Sequence, residues 1–239
     1  MKENNSSVDV ESLKYLGLSF ALYWFGSSLF NVFFPIYLME IGLSLLQVLL
    51  VLLLTFLVVG LLPLVTLVLF TKRFESLMGL GIVLTLAYYL LLLFCKDPLL
   101  LGLFNGLYIA TFWPSFNLLL FRLTSVKSRA TTISVVLFLV PTVCGVLGPL
   151  VGGFVIERFG YPALLVFAAA IFAFSAAAFA KVKLRPAKRG LHVPSPKLFS
   201  IFAFTFVVYG LTEYFWLAYP LFLYKLAKGH FSMGVLASA

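Results

Sequence analysis

The stretch Gly145-Val-Leu-Gly148-Pro149-Leu-Val-Gly152-Gly153 decides the fold that this sequence specifies. It lies inside an apolar run that is long enough to cross a bilayer as a helix. At about 100° per residue, Gly145, Gly148 and Gly152 fall on one narrow stripe, with Pro149 and Gly153 beside it. Because a stripe without side chains lets another backbone approach closely, the stretch predicts a helix that packs tightly against a second helix in lipid. Pro149 removes one backbone donor, so a bend is also expected there.

The composition places the rest of the chain in a membrane as well. Of 239 residues, 63% are hydrophobic and only 10% are charged, whereas soluble domains carry about 25% charged residues. The net charge of +9 comes from basic residues in short loops and not from one basic face, so nucleic-acid binding is not predicted. Cys95 and Cys144 lie far apart in apolar surroundings, and they indicate neither a disulfide framework nor a metal site.

Seven apolar stretches each have about 20 residues or more, the length that a helix needs to cross a bilayer. They are 15–38, 45–70, 77–95, 98–121, 131–156, 162–180 and 199–224. The connections are short, so consecutive helices are expected to be antiparallel neighbours. A last apolar segment, 231–239, is too short to span and is expected to open an eighth helix. The predicted fold class is therefore all-α, a polytopic membrane protein of about seven transmembrane helices.

The distribution of Lys and Arg predicts how the chain is oriented. Of 17 basic residues, thirteen lie at the N-terminus or in the loops after the second, fourth and sixth stretches, and four lie on the opposite side. Cytoplasmic loops carry the excess of positive charge. The polar segment 1–14 lacks the basic-then-apolar order of a cleavable signal. We therefore predict a multi-pass protein of the cell (plasma) membrane with a cytoplasmic N-terminus.

A basic, proline-containing segment divides the chain into two parts. We predict an N-terminal six-helix bundle at 1–180, a cytoplasmic linker at 181–197 and the start of a second bundle at 198–239. The linker is interpreted either as a hinge or lipid-binding segment, or simply as a solvated topology determinant. A pattern of Gly, Pro, short loop and new helix at 25–44 recurs at 209–232, and transporters are commonly built from such repeats.

One ionisable side chain, Glu213, lies near the middle of a predicted span. Such residues usually face a water-filled cavity or a polar partner, because a charge in the bilayer is costly. We interpret Glu213 as a proton carrier or a ligand for a cationic or hydroxylated substrate; the alternative is a protonated acid bonded to a neighbouring helix. Polar and aromatic side chains that could share its pathway are Asn31, Asn105, Asn117, Trp113 and Tyr23, together with Ser115 and Tyr108. Each of them, taken alone, fits a simpler role in interhelical bonding or packing better than a place in the pathway.

Motifs in the fourth to sixth stretches resemble those of the major facilitator superfamily. They are Phe112-Trp-Pro-Ser-Phe-Asn117 with Arg122, then Lys127, Arg129 and Ala130, then Gly148-Pro149 with Gly152-Gly153, then Phe159-Gly160-Tyr161. The glycine–proline part is similar to the fifth-helix signature of drug/proton antiporters in that superfamily. The resemblance implies two six-helix bundles that work by alternating access, of which this chain would supply the first bundle, helix 7 and the start of helix 8.

The resemblance also implies a cytoplasmic gate, which this sequence keeps only in part. In the family, the loop after helix 2 carries Gly, then Asp-Arg, then Gly and further basic residues. Here Thr66 and Phe70 stand at the Gly and Asp positions, so the Asp-dependent clamp is not implied. Segment 100–106 lacks the helix-4 Arg of the proton-coupled members, so coupling by that route is not implied either. The gate residues that remain are Lys72, Arg73, Arg122 and Arg129.

The predicted function is a secondary transporter of a small organic solute, with efflux coupled to protons as the finer expectation. The expected partners are the substrate, the lipid bilayer, and a second copy or a complementing second half; neither a cofactor nor a metal is expected. An enzyme is disfavoured because His192 and His230 form no H-E-x-x-H pair, and because no nucleophile elbow or Walker loop occurs. The other interpretation is a truncated, transport-incompetent fragment or partner subunit, whose glycine stripe would lack its usual partner.

Overall fold

The computed structural model describes residues 10–69, 77–125, 128–183, 215–227 and 229–239, and within these ranges all regular structure is helical. Nine α-helices are present there. Their bounds are α1 Val10–Ser28, α2 Phe34–Glu40, α3 Leu45–Leu69, α4 Leu77–Leu92, α5 Pro98–Leu123, α6 Arg129–Ser134, α7 Val140–Phe179, α8 Phe215–Leu226 and α9 His230–Ser238. A 3₁₀ turn at Asn31–Phe33 joins α1 to α2, and a π turn at Val135–Leu139 joins α6 to α7.

Four helical runs in the described residues are long and apolar enough to cross a membrane. They are Val10–Glu40, Leu45–Pro63, Pro98–Leu123 and Arg129–Phe179. The helix α4 is apolar but shorter, at 16 residues. The prediction of an all-α polytopic membrane fold is confirmed.

The helix α7 consists of two arms, 140–159 and 161–179. Its 40 residues would measure about 60 Å if straight, twice the thickness of the hydrocarbon core. The chain turns at Gly160, where φ is 79° and ψ is 172°, a conformation that side chains disfavour. The two arms correspond to the predicted stretches 131–156 and 162–180.

The first predicted stretch, 15–38, is not one continuous helix. The α-helical pattern stops at Ser28 and resumes at Phe34. Pro35 has no N–H to donate to the carbonyl of Asn31, and the Asn31 carbonyl is instead bonded by the N–H of Phe34. An apolar window predicts a span but not such a break, because every residue around it except Asn31 is apolar or small.

Polar pairs join the helices inside the bundle. The Ser19 hydroxyl of α1 lies 3.0 Å from the Ser175 carbonyl oxygen of α7, and the Ser175 hydroxyl lies 2.7 Å from the Ser19 carbonyl oxygen. Tyr37 of α2 donates from its hydroxyl to the Leu92 carbonyl at the end of α4. Such bonds fix the depth of one helix against another where hydrophobic drive is absent.

The two ends of the bundle are distinguished by two acidic residues. Near the start of α1, Glu11 pairs with Lys183 at 3.6 Å, just beyond the end of α7. Glu40 ends α2 at the opposite side. We call these sides the Glu11 end and the Glu40 end.

Candidate functional site

A cavity of about 290 Å³ lies between α1 and α7 on one side and α8 and α9 on the other. Its volume is close to the lower limit of small-molecule pockets, about 300 Å³. Its lining comes from four elements and the turn after α1: Trp24, Ser28, Asn31, Val32, Pro141, Gly145, Pro149, Tyr219, Pro220 and Ala237. None of these described lining residues is charged, so the cavity suits an apolar molecule that makes one or two hydrogen bonds.

Of the predicted pathway residues that the structure describes, Asn31 lines this cavity. It occupies the 3₁₀ turn between α1 and α2, and its side chain is half-buried. The interruption that Pro35 imposes on helix 1 therefore puts an amide group at the cavity wall. An amide both donates and accepts hydrogen bonds, which makes Asn31 a candidate solute ligand.

Asn105, a predicted pathway residue, bonds to a neighbouring helix. Its side chain is buried, and its amide Nδ2 donates to the Thr55 hydroxyl oxygen at 3.0 Å. The Thr55 hydroxyl also lies 3.3 Å from the Gly102 carbonyl oxygen. Asn105 thus bonds α5 to α3 and is not among the cavity-lining residues.

Two predicted aromatic residues lie in the core behind the cavity. Tyr23 stacks on Phe112 with ring centres 3.7 Å apart, and it is almost completely buried. Trp113 packs edge-on against Trp24 at 5.4 Å, and Trp24 itself lines the cavity. Trp113 therefore supports the cavity wall from behind and does not line it.

The other predicted pathway residues are dispersed. Asn117 is exposed, Tyr108 packs on the Tyr88 ring at 5.3 Å, and the Ser115 hydroxyl donates to the Thr111 carbonyl in its own helix at 2.8 Å. Glu213 lies outside the described residues, as do the predicted gate residues Lys72 and Arg73.

The remaining predicted gate residues lie at the turn between α5 and α6. The Arg129 guanidinium covers the Phe121 ring at 3.8 Å, and its Nη2 donates to the Thr124 carbonyl at 3.2 Å. A cation on the last carbonyls of a helix stabilises that helix end. Arg122 is exposed in the last turn of α5. In this structure Arg129 orients a helix end.

The predicted glycine stripe of α7 meets two neighbours. A Cβ built on Gly148 would collide with Ser28, and one built on Gly152 would collide with the Leu29 carbonyl oxygen, so these two glycines pack on the end of α1. A Cβ on Gly153 would lie 2.5 Å from the His230 carbonyl oxygen in α9. In lipid the hydrophobic effect does not hold helices together, and close backbone contacts such as these supply van der Waals attraction between them.

Two expectations about this stripe are corrected. The stripe does not lack a partner, because α1 of the same bundle covers one side and α9 covers the other. Gly145 takes no part in the tight contact: a Cβ there would meet nothing within 4 Å, and Gly145 instead borders the cavity.

Sequence reasoning missed a group of polar contacts at the Glu40 end. The His230 Nε2 atom lies 3.1 Å from Glu40 Oε1, and the Phe231 N–H donates to Glu157 Oε2 at 2.9 Å. The partners are 190 and 74 residues apart, so local spacing could not pair them. The available signal was that Glu40, Glu157 and His230 all border predicted spans on the same predicted side.

Comparison with family models matches residues 16–239 to the Major Facilitator Superfamily. Comparison with curated proteins gives no match. The family match covers nearly the whole chain, including α7 with its glycines and the helices on both sides of the cavity. Its members are membrane transporters and not enzymes. The chain therefore belongs to the Major Facilitator Superfamily.

Proposed function

We propose that the chain moves a small organic solute across the cell membrane by alternating access, with the solute bound in the cavity at Asn31. The observation that carries this proposal is the position of the cavity between the first bundle and α8–α9. In transporters of repeated design, substrate sites lie at the repeat interface and are formed by interrupted helices. Helix 1 is interrupted at the cavity, and Asn31 lies at the interruption.

The helices that line the cavity are in close contact at one end. At the Glu40 end, Gly152 and Gly153 bring α1, α7 and α9 into close contact. Toward the Glu11 end, the lining continues along α7 from Pro149 to Pro141, about 12 Å of helix. With the N-terminus taken as cytoplasmic, this arrangement corresponds to a state in which the solute enters or leaves from the cytoplasm.

Glu213 supplies the charge in this proposal, and efflux coupled to protons is the proposed direction. The described lining is uncharged, so a cationic solute would need a carboxylate from elsewhere. A second copy, or a complementing second bundle, is the proposed macromolecular partner. The linker 181–197 is proposed to remain on the cytoplasmic side.

The test is accumulation of ethidium, a cationic aromatic dye, in cells that express the chain. We predict lower dye accumulation than in cells without it, and a loss of at least about fivefold in efflux rate for Asn31→Ala, since a hydrogen bond to a charged or polar solute is lost. Asn117→Ala is the matched control, because Asn117 is exposed and outside the cavity lining.

Two further outcomes decide the finer points of the proposal. Glu213→Gln is expected to lose both efflux of the cationic dye and its proton dependence, since the amide carries no charge and cannot titrate. If cells with and without the chain accumulate ethidium equally, autonomous efflux of this class of solute is refuted, and the partner or fragment interpretation leads.

A further inference from the structure

We propose that Glu40, Glu157 and His230 form a latch that closes the Glu40 end of the cavity by holding the start of α9 against the first bundle. This inference rests on the proposed function, because a latch has a purpose only if the cavity opens alternately to the two sides. Release of these contacts would free α9 from α2 and α7 and open the cavity at the Glu40 end.

The first contact of the latch joins α2 to α9 directly. Glu40 is the last residue of α2 and His230 is the first residue of α9. The His230 Nε2–H donates to Glu40 Oε1 at 3.1 Å, and the pair is ionic when the imidazole is protonated. The side chains are 24% and 38% exposed, so water can replace the bond when the two helices separate.

The second contact uses the backbone at the start of α9. Its first N–H groups have no partner within the helix, and they mark the positive end of the helix dipole. The Glu157 carboxylate of α7 accepts one of these N–H groups, that of Phe231, at 2.9 Å. A Cβ on Gly229 would lie 3.2 Å from the same carboxylate, so a small residue lets Glu157 approach.

The third contact packs the imidazole against an aromatic ring of α7. The His230 ring packs edge-on against Tyr161, with ring centres 5.3 Å apart and an interplanar angle of 88°. Tyr161 begins the second arm of α7, beyond the turn at Gly160. The start of α9 is thus held by α2 and by both arms of α7.

The latch lies next to the cavity, so its release would change access to the cavity. Val32 lines the cavity and lies one residue before Phe33, which itself contacts the His230 ring at 6.4 Å between ring centres. Farther along α9, Ala237 lines the same cavity. Movement of α9 away from Glu40 and Glu157 would therefore increase access to Val32 from the Glu40 end.

The test measures how fast a cysteine at Val32 reacts with a charged, membrane-impermeant maleimide. Cys95→Ser and Cys144→Ala remove the native thiols, and the full chain is labelled in whole cells and in inverted vesicles. We expect Glu40→Gln and His230→Gln each to raise the rate from the Glu40 end about threefold. The double variant is expected to exceed neither single one, because both substitutions weaken the same contact between α2 and α9.

Glu11→Gln is the matched control, since it removes a carboxylate from the Lys183 ion pair at the opposite end and does not touch α9. A reciprocal exchange, Glu40→His with His230→Glu, restores the pair and is expected to return the rate to its original value. A cysteine at Ser115, buried within α5, is expected to stay unreactive in every folded variant.

The outcomes separate the latch from the transport proposal. Unchanged labelling from the Glu40 end in Glu40→Gln and His230→Gln, with labelling from the Glu11 end retained, overturns the latch alone. If Val32→Cys reacts from neither side in any variant, the open cavity is refuted, and the proposed function fails together with the latch.

Discussion

At the residue scale, small side chains of α7 determine how closely α1 can approach. The backbone of α1 at Ser28 and Leu29 lies where Cβ atoms on Gly148 and Gly152 would be. Three residues earlier, Gly145 faces open space at the cavity. Gly148 and Gly145 lie on nearly the same stripe, but a side chain would lower the free energy of unfolding much more at Gly148 than at Gly145.

This difference gives a matched pair of substitutions. Gly148→Leu is expected to lower the free energy of unfolding by about 1–3 kcal/mol, because α1 would have to move away from α7. Gly145→Leu introduces the same side chain into open space and is expected to cost much less. Thermal unfolding of the purified protein in detergent measures both, and an equal loss in the two variants would rule out this view of the packing.

Asn105 gives a second residue-scale prediction. Asn105→Ala removes the bond to the Thr55 hydroxyl and is expected to destabilise the bundle by about 0.6–1.7 kcal/mol, the range for interhelical hydrogen bonds in membranes. Asn117→Ala is the control, since Asn117 is exposed. Ethidium efflux is expected to persist in Asn105→Ala at a temperature where the variant is folded; its abolition there would place Asn105 in the solute pathway after all.

At the element scale, two backbone interruptions arrange the helices around the cavity. The break between α1 and α2 brings Asn31 to the cavity wall, and the turn at Gly160 folds α7 back on itself. The second interruption depends on a positive φ, which an L side chain adopts only with strain.

Gly160→Ala tests that dependence. It is expected to destabilise the chain by about 1–2 kcal/mol, the cost of a left-handed φ for a residue with a Cβ. Gly17→Ala is the control: Gly17 is helical in α1, has open space around it, and is expected to gain about 0.5–1 kcal/mol. Chemical denaturation in the same detergent measures the free energy of unfolding of both variants. A higher value for both would contradict the claim that the turn at Gly160 requires a glycine.

The sequence predicted the helices well and the contacts between distant segments poorly. Apolar runs separated by short polar loops define the helices. Asp97, for example, caps the start of α5 by accepting from the Leu99 N–H at 2.8 Å, and α5 begins where it was predicted. Asn31 could be named as a pathway candidate because a polar side chain within a span is costly. The bond that Asn105 makes could not be predicted, since it depends on which helix supplies Thr55. The bond between Glu40 and His230 joins residues 190 apart and follows only from the packing of α9.

At the scale of the whole molecule, α8 and α9 pack against α2 and α7 along one side of the cavity. Close glycine packing and the latch join α9 to α7 and α2 at the Glu40 end, whereas the cavity lies toward the Glu11 end. This asymmetry between the two ends is what an alternating-access transporter would show in one of its two states. The second state would have the Glu40 end open.

The most direct measurement is the spin-label distance at the Glu40 end, between Leu46→Cys of α3 and Leu226→Cys of α8, in lipid nanodiscs. Both side chains are exposed, at 76% and 58%, so labels are tolerated. We predict two distances, with Glu40→Gln shifting population from the shorter to the longer one. A single distance that neither Glu40→Gln nor added ethidium changes would contradict alternating access by this chain.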